Sequence, residues 1–164
     1  MNDYPDSLSG TADILIMGIG NLLMSDEGVG IHFVRLLEKE TLPPGLHLLD
    51  GGTAGFLLME YFEQYPHVIL IDATLDDHPP GTIRHITPQF SNDFPKAMST
   101  HEIGLKDLME GMYLLGKQPN IHLFVISVSK LQPMDMTLSK EVEEALIPLK
   151  NQVFTLVKKL RDEA

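Results

Sequence analysis

The chain has 164 residues, of which 43% are hydrophobic and 21% charged, enough for one domain with a sizeable buried core. Its net charge of −11 argues against a nucleic-acid-binding face and against attraction to anionic lipid, both of which need basic residues. The absence of cysteine removes disulfides, a cysteine nucleophile and any thiolate metal site. No apolar run reaches the roughly 20 residues of a membrane span. The first residues, MNDYPDSLSGTAD, are acidic and polar where a secretory signal needs positive charge and then an apolar stretch. The expectation is a cytoplasmic protein with residues 1–164 in one domain, residues 1–11 forming a flexible arm.

Taken in order, Ala12 to Met17 reads as a buried first strand, and Gly18, Gly20 and Asn21 as a turn. A helix is expected from Asp26 to about Glu40, because Val29, Phe33, Leu36 and Leu37 fall on one face of a 3.6-residue period. Leu42-Pro43-Pro44-Gly45 stops it. Leu46 to Leu49 is a short second strand ending in Asp50, followed by the glycine turn Gly51-Gly52-Thr53-Ala54-Gly55 and a buried helix from Phe56 to Tyr65. Val68 to Ile71 is a continuous apolar run suited to a central strand, with Asp72 at its C-terminal end. After a turn over Asp76 to Gly81, Thr82 to Thr87 reads as an edge strand, and Pro88 to Ser99 as a loop. Thr100 is placed to cap a helix from His101 to about Leu115. Ile121 to Val128 is the fifth strand, Lys130 to Met136 a loop, and Ser139 opens a last helix that Pro148 should kink or restart. The order β-α-β-α-β-β-α-β-α implies a three-layer α/β sandwich around a mostly parallel sheet.

In such a sheet, ligands bind at the C-terminal ends of the strands. The turn after the first strand matches the dinucleotide fingerprint at Gly18 and Gly20, and Asp50 supplies its acid. The sixth position, however, is Leu23 rather than glycine, and Asp26 and Glu27 would repel phosphate at the helix start. Asp26 and Glu27 are each compatible with plain capping, and so is Asp50 for the helix after Gly51-Gly52. Asp72 is harder to explain structurally, since a carboxylate beside a buried strand needs a cation, a metal or strong donors. His101 at a first helical turn is held neutral by the dipole and is free to bind metal, but Leu105 stands where a zincin motif needs histidine. His32, His47, His67, His78, His85 and His122 read as ordinary. No Gly-x-Ser-x-Gly elbow is present. Glu27, Asp72 and His101 come from three separate segments that a parallel sheet brings to one edge. Two carboxylates and a neutral imidazole suit a divalent first-row ion such as nickel, zinc or manganese.

The stretches Gly18-Ile19-Gly20-Asn21-Leu22-Leu23-Met24-Ser25-Asp26-Glu27-Gly28-Val29-Gly30, Asp50-Gly51-Gly52-Thr53-Ala54-Gly55, Ile71-Asp72-Ala73 and His101-Glu102-Ile103-Gly104-Leu105 resemble the hydrogenase maturation endopeptidases over about residues 12–160. The resemblance implies a five-stranded twisted sheet with helices on both faces and one antiparallel strand, for which Thr82 to Thr87 is the candidate. It implies removal of the C-terminal extension of a nickel-iron hydrogenase large-subunit precursor, with the substrate's own nickel as recognition element. By motif, Glu27, Asp72 and His101 are the implied metal ligands, which other divalent ions occupy in crystals of the family. Asp50 and Glu27 are the implied catalytic carboxylates. The expected partner is that precursor, and the expected state a monomer. Two rival readings stay open: a metal-sensing chaperone that binds the precursor without cutting it, and a dinucleotide-binding protein built on the Gly18 turn.

Overall fold

A computed structural model describes residues 13–96, 98, 102–117, 119–130 and 132–164; residues 56, 91 and 102–105 are described by their backbone alone. The expected N-terminal arm, the start of the first strand at Ala12, and the Thr100 cap with His101 lie outside the described residues.

Five strands form one sheet: β1 Ile14–Ile19, β2 Leu46–Gly52, β3 His67–Thr74, β4 Ile83–Ile86 and β5 Asn120–Ser127. Their order is β2-β1-β3-β5-β4, so β3 is central, as its unbroken apolar run requires. β1 pairs in parallel with β2 and β3, β3 in parallel with β5, and β4 antiparallel with β5. The sequence expectation of one antiparallel edge strand is therefore met. Among the described residues four α-helices cover the sheet: α1 Val29–Leu37, α2 Met59–Gln64, α3 Glu102–Leu114 and α4 Lys140–Asp162.

The period-2 alternation of the strands divides the core into two layers. Ile14, Ile16, Ile69, Ile71, Phe124 and Ile126 pack under α1 and α4, where Phe33, Leu37, Leu149, Val153 and Leu160 meet them. Leu15, Met17, Val68, Leu70, Leu123 and Val125 pack under α2 and α3, against Phe62, Leu108 and Met112. Helices on both faces of a mostly parallel sheet complete the three-layer sandwich.

Several boundaries differ from the sequence expectation. Gly18 is not in a turn but inside β1, which runs on to Ile19. The helix expected from Asp26 begins as a 3-10 turn, Ser25–Gly28, and becomes α-helical only at Val29. The helix expected from Phe56 is likewise a 3-10 turn, Gly55–Leu58, leading into the shorter α2. β3 continues past Asp72 to Thr74, because Thr74 and Ala73 still pair with β5. The last helix continues through Pro148 without restarting. Its buried residues on both sides of Pro148, Val142 to Leu160, hold it against the sheet, and tertiary packing outweighs the one lost backbone hydrogen bond.

Candidate functional site

The Glu27 turn sits where it does because glycine lets backbone meet backbone. A Cβ on Gly18 would lie 2.1 Å from the Gly30 carbonyl oxygen, and one on Gly30 would lie 2.3 Å from the Ile71 oxygen and 2.5 Å from the Ile19 oxygen. Gly20, at φ +140°, presses against the Glu27 carbonyl in the same way, at 1.9 Å. Helix α1 is thus seated directly on β1 and β3, and the turn before it packs against β3.

Within that turn the two acids have different fates. Asp26, 2% exposed, accepts from Ser139 twice: from its backbone N–H at 2.7 Å and from its hydroxyl at 2.8 Å. It is structural, but it does not cap its own helix as the sequence suggested. It serves the N-terminus of α4, 113 residues away, where the dipole favours a negative charge. Glu27, 7% exposed, is buried with no hydrogen bond or ion pair to its carboxylate among the described residues. A carboxylate so little exposed is costly to leave without a partner, and Glu27 differs in this from its hydrogen-bonded neighbour Asp26.

Asp72 is 2% exposed and lies one residue beyond Ile71, the residue whose carbonyl Gly30 abuts. Its Oδ1 accepts from the Ala73 backbone N–H at 2.8 Å. Alternation puts Asp72 on the face of Val68 and Leu70, the face that α3 covers. The backbone of α3 begins at Glu102. Among the described residues no three His, Asp or Glu side chains are gathered around one point; His101 is not among those residues.

Asp50 stands apart. Gly18 of β1 pairs with Asp50 on one side and with Ile71 on the other, so the backbones of Asp50 and Ile71 are two strand spacings, about 10 Å, apart. Asp50 is exposed, and its Oδ1 accepts from the Gly52 N–H at 3.0 Å across a bulge at the end of β2. The capping role suggested by sequence is replaced by this local turn. Its alternation matches Leu46 and Leu48, the face opposite Asp72. The structure therefore brings the Glu27 turn against the strand of Asp72 and leaves Asp50 at the rim of the same C-terminal edge.

Sequence reasoning missed the loop after β5. Lys130 to Met136 was read only as a loop and Ser139 only as the start of the last helix, yet this segment borders the Glu27 turn through Gln132, Asp135, Thr137 and Ser139. The usable signal was its position directly after the C-terminal end of a parallel strand. It also missed a histidine cluster far from this edge. His122 Nδ1 and His85 Nε2 lie 3.0 Å apart, and the His85 ring stacks on Phe124 at 4.5 Å. Burial, with smaller contributions from His85, His67 and Lys159, lowers the His122 pKa to about 4.

Comparison with known proteins agrees with this architecture. The family profile described as HycI, hydrogenase maturation protease, matches residues 31–156. The hydrogenase 2 maturation protease of Escherichia coli K12 is 31% identical over 155 residues, covering 92% of this chain and 94% of that protein. The hydrogenase expression/formation protein HupM of Azotobacter chroococcum is 35% identical over 142 residues, 83% of this chain but 67% of its own length. The structure of the hydrogenase maturating endopeptidase HybD from E. coli superimposes with a TM-score of 0.79 at 30% identity, covering 90% of this chain and 93% of that one. HybD from Thermococcus kodakarensis gives 0.70 at 27% identity, over 88% and 99%. With its sheet order, its glycine-seated acidic turn and these likenesses together, the chain belongs to the hydrogenase maturation protease family.

Proposed function

We propose that the chain is the endopeptidase that removes the C-terminal extension from the large-subunit precursor of a nickel-iron hydrogenase, and that it recognises the nickel carried by that substrate. The observation that supports this reading is Glu27: a carboxylate at 7% exposure, with no partner among the described residues, held on a turn packed against the strand of Asp72. A cation delivered by the substrate would offset the desolvation of this group. Carboxylate and imidazole oxygens and nitrogens are donors a divalent first-row ion accepts, so Glu27, Asp72 and His101 are the proposed ligands.

In this reading, the three side chains complete the coordination of nickel that the precursor already holds. Docking sets the scissile peptide in register at the sheet edge, a gain in positioning over free diffusion. Asp50, exposed at the rim and outside the proposed ligand set, is the group we assign to proton transfer or to orienting the attacking water. Its backbone distance of about 10 Å from that of Ile71 suits a role on the peptide rather than on the metal. Glu27 then serves both as ligand and as the carboxylate nearest the metal-bound substrate. The enzyme is on this view metal-dependent through its substrate, aspartic-type through Asp50, and cytoplasmic.

The test is cleavage of purified large-subunit precursor, loaded with nickel or free of it. A mass loss equal to the C-terminal extension, seen only with nickel, is the expected result. Binding of loaded precursor without any mass loss would replace this reading by the metal-sensing chaperone. Equal cleavage with and without nickel would remove nickel from recognition.

A further inference from the structure

The Glu27 turn is fixed by more bonds than its own four residues could make. Ser25 donates its backbone N–H to the Asp135 carbonyl at 2.6 Å and its hydroxyl to the Thr137 carbonyl at 2.8 Å. Asp26 donates its N–H to Gln132 Oε1 at 2.9 Å, and Gln132 in turn donates to the Ser129 carbonyl at 2.8 Å. The Asp26 carboxylate takes both donors of Ser139. Except for the Gln132–Ser129 bond, which lies within the loop, each of these contacts crosses from the turn to the segment between β5 and α4.

The backbone carries a sign of the same restraint. Ser25 has φ +47°, a left-handed conformation that a non-glycine residue adopts at a cost. Such strain persists only where the surroundings over-determine it, and it concentrates at functional sites. Here the two bonds to Asp135 and Thr137 over-determine it. In a 3-10 turn consecutive side chains are about 120° apart, so committing Asp26 to Ser139 dictates the direction left to Glu27.

We infer that Asp26 is a positioning residue: clamped by Ser139 and the 129–139 loop, it sets the direction of the Glu27 carboxylate toward the substrate's metal. This rests on the reading of Glu27 as a ligand for that metal. The clamp makes the loop after β5 part of the site, although none of its residues is assigned to chemistry. It also couples the site to the N-terminus of α4, so that the longest helix of the molecule braces Glu27.

The decisive variant is Ser139→Ala, which removes the hydroxyl donor to Asp26 and keeps the backbone donor. Ser139→Thr restores the hydroxyl. Val153→Ala, in the core far along α4, serves as a destabilised control without contact to the clamp. Two quantities are read at a temperature where all proteins are folded: kcat/KM for nickel-loaded precursor, and the Kd of free Ni2+ for the isolated protein by calorimetry. Ser139→Ala is expected to lose about tenfold in both, Ser139→Thr to return within about twofold of the parent, and Val153→Ala to match the parent. If Ser139→Ala matches the parent in both quantities, or if Val153→Ala loses as much as Ser139→Ala, Asp26 has no positioning role. Glu27→Gln is measured alongside to separate the two ideas. If Glu27→Gln cleaves and binds nickel like the parent, the reading of Glu27 fails; if it is inactive while Ser139→Ala is unaffected, only the clamp fails.

Discussion

Gly30→Ala tests whether the glycine seat of α1 places the Glu27 turn. The added Cβ would lie 2.3 Å from the Ile71 carbonyl oxygen, 2.5 Å from the Ile19 oxygen and 2.7 Å from the Ile19 nitrogen, and contacts under 3.0 Å are essentially never seen. All three atoms belong to the backbones of β1 and β3, which cannot swing aside as a side chain would. Opening the shortest contact to that limit moves α1 off the sheet by about 0.7 Å. Overpacking of this kind costs about 1–3 kcal/mol, which for a domain of this size lowers Tm by roughly 2–12 °C. The same shift carries Glu27, three residues upstream, away from Asp72. Since a misplacement of about 1 Å can cost on the order of 100-fold, kcat/KM for loaded precursor should fall by at least about tenfold. Thermal unfolding and the cleavage assay read the two effects separately. Gly111→Ala is the matched control: a Cβ there meets nothing within 4 Å, so the change should raise helix stability by about 0.5–1 kcal/mol and leave cleavage alone. A Gly30→Ala protein with the parent's Tm and the parent's cleavage rate would refute the argument that close backbone approach seats the site.

Three further outcomes rest on other parts of the molecule. Asp50→Asn keeps an oxygen for the Gly52 N–H and sits at an exposed rim, so unfolding free energy should change by less than about 0.5 kcal/mol while cleavage falls about 100-fold or more; an unaffected cleavage rate would exclude Asp50 from proton transfer. His122 is held neutral by burial, with a pKa of about 4 against an ordinary 6.5. The unfolded chain therefore takes up a proton first, so this contribution is complete above about pH 6.5 and is lost as pH falls toward 4, by up to ~3 kcal/mol. His122→Leu should flatten the stability profile measured by urea unfolding in that window, and an unchanged slope would discount the histidine. Leu149→Ala, at a fully buried position in the α4 layer, should cost about 2–5 kcal/mol with an unchanged m-value; a loss under about 1 kcal/mol would mean that α4 packs more loosely than the structure shows.

The order of the elements, the central place of β3 and the antiparallel edge strand were all legible in the sequence. They follow from local patterns: β3 is a continuous apolar run, β4 an alternating one, and α1 and α4 carry apolar stripes at helical spacing. The acidic turn was legible too, because short glycine and acid motifs bear on nearby backbone, whereas β2 and β3 run on past Asp50 and Asp72. What sequence could not supply was the partner of each acid. Asp26 and Glu27 are neighbours with the same charge, and nothing local tells them apart. Asp26 is spent on Ser139, 113 residues away, while Glu27 is buried without a partner among the described residues. The role of Gly18 was misjudged for the same reason: its meaning is a contact between a strand and a helix, not a turn within one segment. Likewise Pro148 breaks an isolated helix but not one whose two halves are both buried against a sheet. Hydrophobic period and turn chemistry are local, so the sequence alone determines the elements and their order; which carboxylate is hydrogen-bonded and which is not depends on long-range contacts, and only the tertiary structure decides that.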